Sequence, residues 1–109
     1  MDFNTYQNES RSTAIYPPIG GSEIYPALEL ANEAGEVLGV IKKVYRDKSG
    51  QYSTEELDKV KGELGDALWA LSQIATELGV SLSDVAETNL EKLRSRQERG
   101  VLGGSGDKR

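Results

Sequence analysis

The stretch "STEELDKVKGELGDALWALSQIATELG", residues 53–79, decides the fold. Ser53 with Glu56 three residues on is a capping-box signature, and Gly79 suits a C-terminal cap. One helix from about Thr54 to Leu78 is therefore expected. Leu57, Val60, Leu64, Ala67, Leu71, Ile74 and Leu78 recur at helical spacing and mark the face expected to be buried. At the border of that apolar arc, "ELGD" places Glu63 and Asp66 three apart, so that both project from one side of the helix.

Upstream, a second long helix is expected from about Tyr25 to Arg46. Pro26 fits its first turn, where the missing N–H does no harm. Ala27, Leu30, Ala34, Val37, Ile41 and Val44 define its apolar face, and Glu33 and Glu36 of "NEAGEV" lie along the edge of that face. Before it, "YPPIGGSE" at 16–23 reads as a turn region, and residues 1–14 as a short helix with Phe3, Tyr6 and Gln7 inward. Downstream, Ser81 opens a third major helix, again as a box with Asp84, that ends before Gly100. Strand signals are nearly absent. The expected class is all-α: a single helical-bundle domain over residues 1–100 and a glycine-rich, irregular tail at 101–109. The short polar loop between the two long helices favours antiparallel packing.

Composition limits the chemistry. A chain of 109 residues has room for one core, and 37% hydrophobic residues suffice for a helical domain that gains area by oligomerising. With no cysteine and no histidine, a disulfide framework, a zinc-thiolate site, a thiol nucleophile and a histidine base are all excluded. The net charge of −5 and the lack of a long basic run argue against nucleic acid as a partner. No apolar run approaches the roughly 20 residues that span a bilayer, and the polar N-terminus has no signal-peptide pattern. A soluble, cytoplasmic protein is expected, with no membrane partner.

In antiparallel packing, Glu33, Glu36, Glu63 and Asp66 would converge near the middle of both long helices. Two carboxylates about 6 Å apart repel by roughly 3 kcal/mol at an effective dielectric of 20. Four together need raised pKa values or a cation, and a hard divalent ion that prefers carboxylate oxygens resolves the conflict. Solvated surface acids are the alternative. Two other sites fail on spacing. From Asp47 the loop has glycine at position four rather than the sixth position of a calcium loop, and "GGSGDK" lacks the ending and the preceding strand of a phosphate-binding loop.

"YPALELANEAGEVLGVIKK", followed by "KGELGDALWALSQIATELGVSLSDVAETNLEKLRSRQERG", resembles the MazG-like nucleoside triphosphate pyrophosphohydrolases of the all-α NTP pyrophosphatase superfamily. The resemblance runs from Tyr6 to the C-terminus. It implies that Glu33, Glu36, Glu63 and Asp66 are catalytic metal ligands for Mg²⁺, with Mn²⁺ as the alternative. It further implies cleavage of a (d)NTP between the α and β phosphates to a nucleoside monophosphate and pyrophosphate, in nucleotide-pool house-cleaning. Asn89, Lys92 and Arg96 share one face of the last helix, and by the resemblance that face contacts substrate; an ordinary solvated basic face is the alternative. A homodimer or homotetramer is implied, with active sites near subunit contacts. One departure is Asn32, where the fullest family motif carries a glutamate; Glu29, one turn earlier, is a candidate replacement for that charge.

A different class of function remains open on the same fold: a catalytically silent nucleotide-binding or assembly protein. Trp69, away from the main apolar arc of its helix, is expected at an interface, and Tyr16, Tyr25, Tyr45 and Tyr52 stand unranked as base-stacking residues. The tail is expected either to be disordered or to close over the nucleotide as a lid, with Lys108 or Arg109 adding charge.

Overall fold

A computed structural model describes residues 1–109 as four α-helices and one 3₁₀ turn, with no strand. Helix α1 (Phe3–Ser10) is capped by the Asp2 carboxylate, which accepts from the Thr5 amide at 2.8 Å, and runs into the 3₁₀ turn at Arg11–Thr13. An irregular segment through Pro17, Pro18 and the left-handed Gly20 leads to α2 (Ile24–Lys48). This helix outlasts the expected end at Arg46 because Ser49 takes a left-handed cap, its N–H bonding back to the Val44 carbonyl. Gly50 follows with φ +80°, and a Cβ there would meet the Tyr45 ring at 2.9 Å. The turn needs glycine on both counts.

Helix α3 (Thr54–Glu77) opens with the complete capping box: the Ser53 hydroxyl accepts from the Glu56 amide, and the Glu56 carboxylate accepts from the Ser53 amide. Lys48 at the end of α2 also pairs with Glu56, tying the two helices beside their connecting loop. Further along, Glu33 of α2 meets Glu63 and Asp66 of α3, so the helices run antiparallel as the loop length demands. Gly79, at φ +71°, turns the chain into α4 (Leu82–Glu98), where the Ser81 hydroxyl accepts from the Asp84 amide. The reciprocal bond of the expected box, from the Ser81 amide to the Asp84 carboxylate, is not formed, and the Ser81 hydroxyl itself donates to Asn4 Oδ1 of α1 at 2.9 Å.

Helix α1 lies against α3 and α4 and is fixed by polar groups. Gln7 donates to Thr76 Oγ1 at 3.0 Å and to the Val80 carbonyl at 2.9 Å, and accepts from the Leu82 amide at 2.8 Å. Gln73, fully buried, donates to Ser10 and accepts from Arg11, whose guanidinium also reaches Tyr16 and Glu77. Buried side chains of this kind persist because nearly every donor and acceptor finds a partner.

The core differs from the expectation. Only nine of 109 residues are buried, and the apolar ones are Pro26, Val44, Ala70, Ala75 and Leu82. Leu57, Leu64, Leu71 and Leu78, expected in the core, are 55%, 53%, 46% and 60% exposed. Ala27 and Ala34 of α2 are exposed as well, while Leu30, Val37 and Ile41 are half-buried. The reason lies in the packing: α3 meets α2 and α1 through its buried residues Ala70, Ser72, Gln73 and Ala75, and the leucines spaced by seven form a stripe left about half exposed. The radius of gyration is 16.8 Å, against about 13 Å for a compact chain of this length. One copy is an open hairpin with arms.

Candidate metal centre

Helical spacing brings the acids to the junction of α2 and α3. Carboxylate oxygens of Glu33, Glu63 and Asp66 all lie within 4.8 Å of one another. Glu33 and Glu63 are half-buried and Asp66 is exposed. Burial pushes the Glu33 carboxyl above its ordinary range, and the charges of Asp66, Glu29 and Glu63 push it the same way. Glu29, one turn back, is thus among the charges that bear on Glu33. Asn32 itself is exposed.

Glu36, one turn on from Glu33, is exposed and is not a member of the group of three. The structure thus gathers three of the four expected carboxylates. The donor set suits a hard divalent ion. At metal–oxygen distances of about 2.1 Å, neighbouring oxygens around an ion stand ~3 Å apart and opposite ones ~4.2 Å, so side-chain rotations that draw the three carboxylates inward from their 4.8 Å span would let them hold it.

Aromatic residues border this junction. Burial raises the pKa of the Tyr6 phenol, and the charge of Asp66 pushes it the same way, so the half-buried Tyr6 of α1 feels the acid side of α3. Sequence reasoning gave Tyr6 an inward position but no part in the site, because nothing local shows that α1 docks there. One turn along α3 from Asp66, Trp69 donates its indole N–H to Thr13 Oγ1 at 2.8 Å and meets Tyr16 edge-on at 6.0 Å. Tyr16 in turn stacks on Tyr25, with ring centres 5.4 Å apart and planes 4° from parallel. Trp69 therefore packs within the chain, held by the segment after α1, whereas the leucine stripe of the same helix is exposed. Tyr45 is largely exposed, and Tyr52 stands at the edge of exposure.

A family model, the MazG nucleotide pyrophosphohydrolase domain, matches residues 25–101. The chain belongs to the MazG family. Along its whole length it is also 43% identical, over 114 aligned residues, to the whole of the Gene 37 protein of Mycobacterium phage L5. No solved structure matches. The MazG match contains Glu33, Glu36, Glu63, Asp66, Asn89, Lys92 and Arg96; it leaves out α1 and the tail beyond Val101.

In this MazG chain the expected substrate face of α4 is engaged by the tail. No hydrogen bond or ion pair joins Asn89, Lys92 or Arg96 to the cluster. Asn89 is exposed and, with Thr88, Lys92 and Asp84, lines an open cleft of about 400 Å³ against Val80 and Val85. Lys92 and Arg96 instead bind the tail: Lys92 Nζ donates to Asp107 Oδ1 at 2.6 Å, and Arg96 Nη2 donates to the Asp107 carbonyl at 2.5 Å and to its Oδ1 at 3.3 Å. Arg109 does not project as a free cation. Its guanidinium donates to the carbonyls of Val101, Leu102 and Gly106.

Proposed function

We propose that this chain hydrolyses nucleoside triphosphates between the α and β phosphates, using a divalent cation held by Glu33, Glu63 and Asp66. The observation that carries the reading is the convergence of these three carboxylates from two helices in a MazG chain. Mg²⁺ is the preferred ion and Mn²⁺ the alternative, since both favour carboxylate oxygen. When bound, such an ion neutralises phosphate charge and lowers the pKa of a coordinated water.

The residues of the chain do the rest. Glu33 and Glu63, half-buried, would hold the ion together with Asp66, and the exposed Glu36, one turn on from Glu33, would bind the ion or its waters only after a change of side-chain conformation. Asp66 carries the charge nearest to Tyr6, whose phenol can donate to a phosphate or sugar oxygen. Tyr25, about two turns before Glu33, and Trp69, one turn after Asp66, with Tyr16 packed against both, offer the base an aromatic wall. Attack of water oxygen on the α phosphorus breaks its bond to the bridging oxygen, and pyrophosphate leaves with the bridging oxygen. Removal of unwanted nucleotides from the cytoplasmic pool is the role that fits this chemistry.

Two or four copies complete the molecule. Leu57, Leu64, Leu71 and Leu78 of two α3 helices pack against each other in this reading, burying a stripe with the seven-residue repeat of a helix–helix seam. Asn89, Lys92 and Arg96 reach the substrate in the assembled form.

The test is pyrophosphate release from a panel of ordinary and modified nucleotides, with Mg²⁺ and with EDTA. Release that requires Mg²⁺ and is lost in Glu63→Gln supports the reading. Absence of release from every nucleotide, with binding retained, would instead mark a silent nucleotide-binding protein, the alternative favoured by Glu36 standing outside the group of three.

A further inference from the structure

The tail supplies an acid where a phosphate is wanted. Arg96 is almost wholly enclosed, its side chain 7% exposed, on a helix whose other residues are mostly in solvent. Asp107, its partner, has a side chain 77% exposed. The cation is fixed and the anion is replaceable.

The pairing is also incomplete. Arg96 offers a planar fork, but Asp107 engages only Nη2, and Arg96 Nε is buried without any partner. A tetrahedral phosphate oxygen set can take Nε and Nη2 side by side, which a carboxylate held at this angle does not. Lys92 stands next to it as a second charge, bonded to the same Asp107 oxygen. Beyond Lys92 lies the cleft lined by Thr88 and Asn89, with room for a ligand, Asp84 being the one acid in its wall.

The rest of the tail is built to present Asp107. Arg109 gathers the carbonyls of Val101, Leu102 and Gly106 into a closed loop, and Arg99 Nη2 donates to the Arg109 carbonyl oxygen at 2.7 Å. Gly100 and Gly106, at φ +69° and +86°, make the reversals that return the chain onto α4. Lys92 and Arg96 hold the Asp107 carboxyl below its usual range, so it is charged at neutral pH.

We propose that Lys92 and Arg96 form a polyphosphate site whose resting occupant is the chain's own Asp107, so that substrate phosphates and the tail exclude each other. The idea rests on the nucleotide-hydrolase reading for the identity of the ligand, but the exchange itself is a property of α4 and the tail. It is the opposite of a lid. A lid would hold the nucleotide more tightly with the tail present, whereas this latch weakens binding by the fraction of molecules in which it is docked.

The experiment titrates inorganic pyrophosphate into the full-length protein in EDTA, which keeps the carboxylate cluster out of the binding, with calorimetry as the readout. Asp107→Asn should bind pyrophosphate about fivefold or more tightly than the unaltered chain, and Lys92→Gln with Arg96→Gln should abolish the binding. Hydrogen exchange at residues 101–109 should speed up as pyrophosphate is added to the unaltered chain. Equal affinity for Asp107→Asn, or a tail whose protection is unmoved at saturation, overturns the latch. Tail release by pyrophosphate in a protein that hydrolyses no nucleotide would keep the latch and remove the hydrolase, so the two readings fail separately.

Discussion

Glu33→Gln gives the sharpest test of the carboxylate cluster, because it should stabilise the metal-free protein while destroying its response to metal. Two unit charges 4.8 Å apart repel by about 3.5 kcal/mol at an effective dielectric of 20, and Glu33 faces both Glu63 and Asp66 within that distance. Asp66 is exposed and the two glutamates are only half-buried, so solvent and salt remove most of this. A net gain of about 1–2 kcal/mol is expected for the neutral isostere, or roughly 4–15 °C in Tm for a domain of this size. The pH dependence has a definite sign. Folding raises the Glu33 pKa, so the native state takes up protons first, and the metal-free protein loses stability as pH rises from the ordinary glutamate value of 4.5 through the raised one. The advantage of Glu33→Gln should therefore be full at pH 7 and fade as pH falls towards about 4.5. Added Mg²⁺ should reverse the ranking, since an ion that binds only the native state stabilises it by mass action. Thermal melts by circular dichroism, in EDTA and in excess Mg²⁺, read all of this. A variant that melts at or below the parent Tm in EDTA at pH 7 would refute the reasoning, as would a parent protein indifferent to Mg²⁺.

Leu64→Asp and Leu71→Asp should shift analytical-ultracentrifugation profiles from dimer or tetramer to monomer with helix content largely kept; a parent chain that sediments as a monomer would discard the leucine seam. Ser53→Ala should cost about 1 kcal/mol, or roughly 4–8 °C in Tm, because it removes the hydroxyl half of the α3 capping box; an unchanged melt would show the box to be idle. Lys48, first, and then the Ser53 amide keep the Glu56 carboxyl below its ordinary value of 4.5 despite its burial, so their stabilisation is complete above that pH and lost as pH falls through the lowered value. Glu56→Gln should flatten that acid limb of the stability curve, and an identical limb in the variant would count against it. Glu36→Gln should reduce Mg²⁺-dependent pyrophosphate release at least tenfold while leaving the helical spectrum intact, and full turnover would remove Glu36 from the site.

Glu63 and Asp66 could be paired from sequence because an i, i+3 spacing fixes a helix face whatever surrounds it, and the short loop between long helices, by setting the antiparallel register, brings Glu33 to them. Glu36 shares that spacing yet stands outside the group, since convergence depends on the angle at which α2 crosses α3. Tyr6 escaped notice for a related reason. Its place beside Asp66 depends on how α1 docks, and docking is carried by Gln7, Ser10 and Arg11 meeting Ser72, Gln73, Thr76 and Glu77, polar residues that read as surface when taken singly.

The sequence by itself determined what is local: four helices, their caps at Ser53, Ser81 and Gly79, and the all-α class. These follow from hydrogen bonds and backbone torsions that span a few residues. Only the tertiary structure decided which helix faces are covered. Periodicity marks Leu57, Leu64, Leu71 and Leu78 as an apolar stripe but holds no information on which surface meets it, and one chain leaves the stripe about half exposed. The same holds in reverse for Gln73 and Trp69, buried or half-buried because partners distant in sequence satisfy their polar groups. Asp107 belongs here too. An acid in a glycine-rich tail reads as solvated until the fold places it against Lys92 and Arg96, because a charge acquires its meaning from the charges it faces.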